Sequence, residues 1–150
     1  MKLVLMRHAN AAGGSPDIAR RLDDEGRAQA KARGKDLASF DFDAALVSAA
    51  SRTKETFRLL QLDVEDVREE SDLYFGSHET ILLFLNSLPD TVETVLVVGH
   101  EPTISQAAAI FGAESERAQE IRGGVSPSTA IVLEFKNWNG PAEIVEIFAN

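Results

Sequence analysis

The sequence predicts an α/β fold in three layers, with a largely parallel central sheet and a C-terminal antiparallel hairpin. Three observations carry that expectation. Short apolar segments alternate with segments of helical spacing along most of the chain, the order expected when helices cover both faces of a parallel sheet. The runs Leu3-Val4-Leu5-Met6 and Val95-Leu96-Val97-Val98 are continuously apolar, as strands buried on both faces must be. Ala130–Lys136 and Ala142–Phe148 alternate in polarity around Asn137-Trp138-Asn139-Gly140-Pro141, a turn-rich spacer suited to a hairpin.

Each element has its own reason. Lys2–Met6 is a buried parallel strand. Asp23–Phe40 is a helix that Asp23 can cap and that Ala28, Ala30, Ala32 and Leu37 favour, although Gly34 weakens its centre. Ala44–Ser48 is a short strand, Ser51–Leu60 a helix with Ser51 as candidate cap, and Asp63–Val67 an edge-like strand. Ser77–Leu88 has Ile81, Leu82, Leu85 and Leu88 at helical spacing and stops before Pro89. Thr94–Val98 is the most apolar strand. Pro102–Phe111 is a helix closed by Gly112, and Ser115–Ile121 is a further short helix. There is no repeat, linker or low-complexity segment, and 150 residues suit one domain spanning 1–150 without a cap insertion.

Composition narrows the function. The net charge of −9, from 24 acidic against 15 basic residues, argues against nucleic acid or an anionic membrane as partner. Cysteine is absent, which excludes disulfides and thiolate metal sites, and the three histidines show no paired spacing for a zinc or iron site. The expectation is therefore a protein that needs no metal or cofactor. The apolar run after Lys2 reaches only to Met6, too short for the core of a signal peptide, so a cytoplasmic location is expected.

The chemistry concentrates where strands end. Arg7 and His8 follow the first apolar run, His100 follows Val95–Gly99, and Arg52 falls just beyond Ala44–Ser48. In open α/β sheets ligands bind beyond the carboxyl ends of the strands. Neutral imidazole attacks phosphorus near pH 7, which makes His8 the candidate nucleophile once its other ring nitrogen donates to a backbone carbonyl. Arg7 and Arg52 are the candidate phosphate clamp, since guanidinium forks hold phosphate oxygens bidentately. His100, as imidazolium, is expected to hydrogen-bond the transferring group. Arg20 and Arg21 are candidates for a third contact. Glu101 is expected to cap the helix that begins near Pro102.

These residues also resemble a family. Leu5-Met6-Arg7-His8-Ala9, the segment Ser48-Ala49-Ala50-Ser51-Arg52-Thr53-Lys54-Glu55-Thr56 and Val98-Gly99-His100-Glu101-Pro102 resemble the three signature blocks of the histidine phosphatase superfamily. Ala9 in place of glycine, the short chain and the stretch around Leu73-Tyr74 look most like its SixA-type phosphohistidine phosphatase branch. The segment Leu22–Ala30 is similar to the family's first helix opening, with Asp23 where threonine is more usual. The resemblance runs from Lys2 to about Phe135. It implies a phosphoglycerate mutase-like fold, a covalent phosphohistidine intermediate, catalytic Arg7, His8, Arg52 and His100, and a phosphorylated protein as substrate. It also favours Arg20 over Arg21 as the extra phosphate contact.

Two alternatives stand beside that expectation: the same chemistry on a small phosphomonoester such as a sugar phosphate, and a non-catalytic phosphate-binding domain. No flanking pattern selects a general acid among Glu69, Glu70 and Asp72, with Glu101 a lesser alternative as proton donor, and imidazole is a good enough leaving group to need none. His78 is expected to face solvent, Tyr74 and Phe75 to pack in the core or at the rim, and Ser128 and Thr129 to offer hydroxyls behind the site. The loop Gly13-Gly14-Ser15-Pro16 is short, and nothing between Ser48 and His100 is left to form a lid, so an open, shallow site is expected.

Overall fold

The computed structural model covers Met1–Asn150. Strands β1 (Lys2–Arg7), β2 (Ala44–Ser48), β3 (Asp66–Glu70), β4 (Thr94–Gly99), β5 (Ala130–Phe135) and β6 (Ala142–Phe148) form one sheet in the order β3-β2-β4-β1-β5-β6. The strands from β3 to β1 are parallel, while β5 runs antiparallel to β1 and β6 antiparallel to β5. Helices α1 (Asp24–Leu37), α2 (Ser51–Leu60), α3 (His78–Ser87) and α4 (Thr103–Phe111) supply the outer layers.

Alternation along the strands explains the three layers. Leu3, Leu5, Leu46, Val95 and Val97 pack with Ile81 and Leu85 of α3 and Ile104 and Phe111 of α4. Their neighbours Val4, Met6, Val47, Leu96 and Val98 pack with Leu37 of α1 and Leu60 of α2 on the opposite face. The central strands are continuously apolar between their ends, at Leu3–Met6, Ala44–Val47 and Val95–Val98, because both faces are covered. The hairpin is anchored through Trp138, which lies edge-on to Phe135 at 5.3 Å between ring centroids, and Phe135 in turn meets Phe111 at 5.7 Å.

Several boundaries differ from expectation. Asp23 caps α1, its carboxylate accepting from Gly26 N at 2.7 Å, but the helix ends at Leu37 instead of Phe40. There the chain tightens into a turn that brings Phe40 onto Phe42, stacked at 5.5 Å. β3 begins three residues later than expected, because its register pairs Asp66 with Ala44 and Glu70 with Ser48. It is an edge strand all the same. Ser51 is not a cap: it is the first residue of α2, and Ala50 at the cap position has no side-chain oxygen to accept a hydrogen bond. The segment expected as a short helix near 115–121 is a 3-10 turn over Glu116–Glu120. Another such turn, Asp17–Ala19, was not anticipated.

Gly34 has a reason beyond propensity. A Cβ there would lie 2.2 Å from the Leu60 carbonyl oxygen, so only glycine lets α1 pass this close to the end of α2. That approach fixes α2, and with it Arg52, over the sheet. β1, β2 and β4 then end side by side, with Arg7 in register with Gly99 and Val47 with Val98.

Candidate active site

The residues that follow β1, β2 and β4 meet on this edge of the sheet. His8 continues the β1 ladder by one step: its N–H donates to Gly99 O at 3.0 Å, and its carbonyl accepts from Ser128 N at 3.1 Å. The side chain is 8% exposed. His8 Nδ1 lies 2.7 Å from Ala9 O. A carbonyl oxygen can only accept, so Nδ1 carries the proton and Nε2 keeps its lone pair. Ala9 is itself held, its N–H donating to Thr56 Oγ1 of α2 at 3.0 Å. Burial pushes the His8 imidazole from 6.5 down to about 4, opposed by the Ala9 hydrogen bond and assisted by Arg52, Arg7 and Arg20. At neutral pH the ring is uncharged.

His100 stands opposite, its ring centroid 5.4 Å from that of His8 and tilted by 58°. Its Nε2 is 2.7 Å from Ser48 Oγ at the end of β2. Burial, then the neighbouring His8 and Arg52, push it from 6.5 to about 3. Protonation of this ring is thus disfavoured by its burial and by the two guanidinium groups beside it, and the imidazolium expected during transfer requires the negative charge of a phosphoryl group against it.

Arg7, on β1, donates through Nη1 to Val125 O at 2.8 Å. Val125 is pinned by Glu101, whose carboxylate accepts from Val125 N at 3.1 Å, from Ser105 N at 2.8 Å and from Ser105 Oγ at 2.7 Å. Glu101 therefore serves the first turn of α4 and the loop that holds Arg7. Arg52, 6% exposed, donates through Nη1 to Asp17 O at 2.8 Å and through Nη2 to Asp17 Oδ2 at 3.0 Å. Three buried side-chain nitrogens or oxygens in the whole protein lack a hydrogen-bond partner: Arg7 Nε, Arg52 Nε and His100 Nδ1. All three belong to this one site. Buried polar atoms are nearly always paired, so three orphans around one imidazole describe a place prepared for an acceptor-rich group.

Arg20 lies at the same edge, with Nε on Ala12 O at 2.9 Å and Nη1 on Asp17 Oδ1 at 2.9 Å. Arg21 instead faces the buried Glu55 at 4.0 Å. Glu69, Glu70 and Asp72 make no hydrogen bond or ion pair with any of these side chains, and Glu69 faces Lys54 at 4.0 Å. His78 is half-buried against Phe111 rather than solvent-facing, at 6.3 Å between rings. Ser128 and Thr129 contribute backbone, not hydroxyls: Ser128 N holds His8 and Thr129 O accepts from Arg7 N at 3.0 Å. No three His, Asp or Glu side chains converge as a metal-binding group.

Two site residues escaped sequence reasoning. The Asp17 carboxylate accepts from Arg52, Arg20 and the Tyr74 hydroxyl, and these hydrogen bonds hold it well below the usual carboxylate range, Tyr74 contributing most. Tyr74 also lies edge-on to His100 at 5.4 Å, with the Arg52 guanidinium 5.8 Å from its ring centre. The one legible hint was the three-residue spacing of Asp17 and Arg20, which suits an ion pair across one turn.

Residues 3–81 match the family model of the histidine phosphatase superfamily (branch 1). The chain belongs to that superfamily. An uncharacterised protein of Mycobacterium tuberculosis (strain ATCC 25618 / H37Rv) is 35% identical over 114 residues, spanning 73% of this chain and 72% of that one. Another from Mycobacterium leprae (strain TN) is 34% identical over 139 residues, 85% and 86% of the two chains. Among solved structures, a protein of Nakamurella multipartitia provisionally assigned as phosphohistidine phosphatase SixA superimposes with a TM-score of 0.87 at 30% identity, covering 98% of this chain and 94% of that one. A protein of Agrobacterium tumefaciens with the same provisional assignment gives 0.86 at 25% identity, covering 99% and 98%. The likeness is of the SixA type, and the sheet and helices are those of the phosphoglycerate mutase-like members of the superfamily. The stretch of this histidine phosphatase superfamily member that matches the family model includes Arg7, His8, Asp17, Arg20, Arg52 and Tyr74, with His100 beyond it.

Proposed function

We propose that this histidine phosphatase superfamily member removes phosphate from phosphohistidine on proteins, through a covalent intermediate on His8. The observation that carries the reading is the convergence of the unpartnered Arg7 Nε, Arg52 Nε and His100 Nδ1 on a neutral His8 whose tautomer is held by Ala9. His8 Nε2 attacks phosphorus, its new N–P bond forming as the substrate's P–N bond breaks, while Arg7, Arg52 and His100 hold the phosphoryl oxygens. Solvent protonates the far ring nitrogen of the substrate phosphohistidine before the P–N bond breaks, so that neutral imidazole departs. Water then attacks phosphorus, the His8 N–P bond breaks, and inorganic phosphate leaves.

The leaving group selects the substrate class. An alkoxide departs readily only when an acid protonates it. Asp17, the carboxylate that engages Arg52, is held ionised by Tyr74, Arg20 and Arg52, and Glu101 is fully engaged by Ser105 and Val125. Phosphohistidine can take its proton from solvent on the far ring nitrogen and leave as neutral imidazole without a protein acid, which favours its P–N bond over the P–O bond of a sugar phosphate.

The test is trapping. Mixing the protein with radiolabelled phosphoramidate and quenching into alkaline denaturant is expected to leave acid-labile label on His8 and none on a folded His8→Ala protein, whose turnover falls by several orders of magnitude. Label retained by His8→Ala refutes the intermediate. Efficient hydrolysis of one small phosphomonoester, with no activity on phosphohistidine proteins, replaces the substrate assignment by the smaller ester. Phosphate binding without any turnover replaces it by a binding domain.

A further inference from the structure

We propose that Asp17 is a positioning residue of this site and sets the balance between phosphoryl transfer and phosphate release. The inference deepens the reading above and rests on it in one respect, that the anion held here is a phosphoryl group.

The geometry of Asp17 is that of a hub. Its carbonyl accepts from Arg52 Nη1 at 2.8 Å, and its carboxylate accepts from Arg52 Nη2 at 3.0 Å and from Arg20 Nη1 at 2.9 Å. Both terminal nitrogens of Arg52 are thereby engaged, and Nε is left as its unpartnered buried donor. Tyr74 closes the hub from the loop after β3, donating its hydroxyl to the same carboxylate oxygen that holds Arg52. One short turn, Asp17–Ala19, thus orients a guanidinium on α2 and is itself held from a third element. A planar fork with two of its three nitrogens tethered cannot rotate, so it presents one fixed edge to an incoming phosphoryl group.

The carboxylate has a second consequence through charge. Arg7, Arg52 and Arg20 place three cations at the site while both histidines are neutral, and Asp17 offsets one of them. Inorganic phosphate, a small compact anion, gains most from any uncompensated cation and would leave slowly from an unmoderated pocket. Asp17 therefore acts on catalysis in two directions: it aligns Arg52 for the transition state and weakens the hold on product. A residue that only kept the loop folded would act in one direction, weakening both.

Asp17→Asn separates the two. Asparagine keeps the size and one acceptor oxygen, but loses the charge and the second acceptor needed to serve Arg52 and Arg20 together. Inorganic phosphate as a competitive inhibitor is expected to bind roughly three- to tenfold more tightly to Asp17→Asn, while kcat on a phosphohistidine protein falls about tenfold. Asp17→Glu, which retains the charge on a longer arm, is expected to recover wild-type phosphate affinity but not kcat. Tyr74→Phe, which removes only the hydroxyl, is expected to lower kcat about threefold and serves if the Asp17 variants fail to fold. Unchanged kcat and phosphate affinity in Asp17→Asn overturn the proposal. So does a parallel loss of both, and so does wild-type kcat in Tyr74→Phe. Calorimetric phosphate binding needs no turnover: a wild-type protein that binds no phosphate defeats the phosphatase reading itself, whereas wild-type binding that Asp17→Asn leaves unaltered defeats only this role for Asp17.

Discussion

Acid is expected to unfold this protein through its two site histidines, and the effect can be worked out from their positions. His8 and His100 have folded values of about 4 and about 3 against 6.5 for the exposed ring. The unfolded chain takes up both protons as pH falls through 6.5, and the folded chain does not. Stability is therefore full above that value and is lost progressively below it. At about pH 5 the folded rings are still neutral, so the loss depends only on the distance below 6.5 and not on how far each value is lowered. A fall of about 1.5 units at 1.36 kcal/mol per unit is about 2 kcal/mol for each histidine. Mutual repulsion between two imidazolium rings does not enter while neither is protonated, so the two contributions add to about 4 kcal/mol. That is a large share of the roughly 5–15 kcal/mol that holds a typical domain folded. Urea unfolding of wild type, His8→Gln, His100→Gln and the double variant at about pH 8 and pH 5 measures it. The carboxylates titrate alike in all four proteins and cancel in the comparison. Each single variant is expected to lose about 2 kcal/mol less than wild type on acidification, and the double variant about 4. Equal losses in all four would show that the rings are protonated in the folded protein and would refute the reasoning.

Three further outcomes are expected. Arg52→Lys keeps a charge but cannot hold both acceptors of Asp17, so steady-state kinetics on a phosphohistidine protein should show KM raised and kcat lowered together, by about a hundredfold in kcat/KM; near-normal kinetics would place Arg52 outside the reacting centre. Gly34→Ala should lower the melting temperature although alanine favours helix, because the added carbon meets the Leu60 carbonyl at 2.2 Å; overpacking of about 1–3 kcal/mol outweighs the gain of about 1 kcal/mol, and an unchanged or raised melting temperature would contradict the close approach of α1 and α2. Phe75 is 89% exposed and packs on Tyr74 at 4.3 Å, so Phe75→Ser should reduce kcat/KM for a phosphohistidine protein by about tenfold and leave small phosphoramidate hydrolysis unaltered; equal effects on the two substrates would deny it a docking role.

Much of the architecture was legible because it depends on patterns local to each segment. Continuous apolar runs at β1 and β4 marked strands covered on both faces, the turn-rich spacer Asn137–Pro141 marked the hairpin, although β5 is buried throughout Ala130–Leu133 instead of alternating, and helical spacing at Ile81 and Leu85 marked α3. Arg7, His8, Arg52 and His100 could be nominated together for the same local reason: each ends or follows a strand, and parallel strands end on one edge. What escaped depends on partners distant in sequence. The start of β3 is set by register with Ala44, not by its own alternation, and α1 stops where Phe40 turns to meet Phe42. Gly34 looked like a weak point until the Leu60 carbonyl stood against it. Asp17 and Tyr74 lie in segments without periodicity and gain their roles only when folding brings both to Arg52, across 35 and 57 residues of separation for the Asp17 pairs. Protonation followed the same division. Residue type made His8 and His100 titratable, but only burial beside Arg7 and Arg52 decided that both rings are neutral, because the cost of a buried cation belongs to the assembled site and to no single segment.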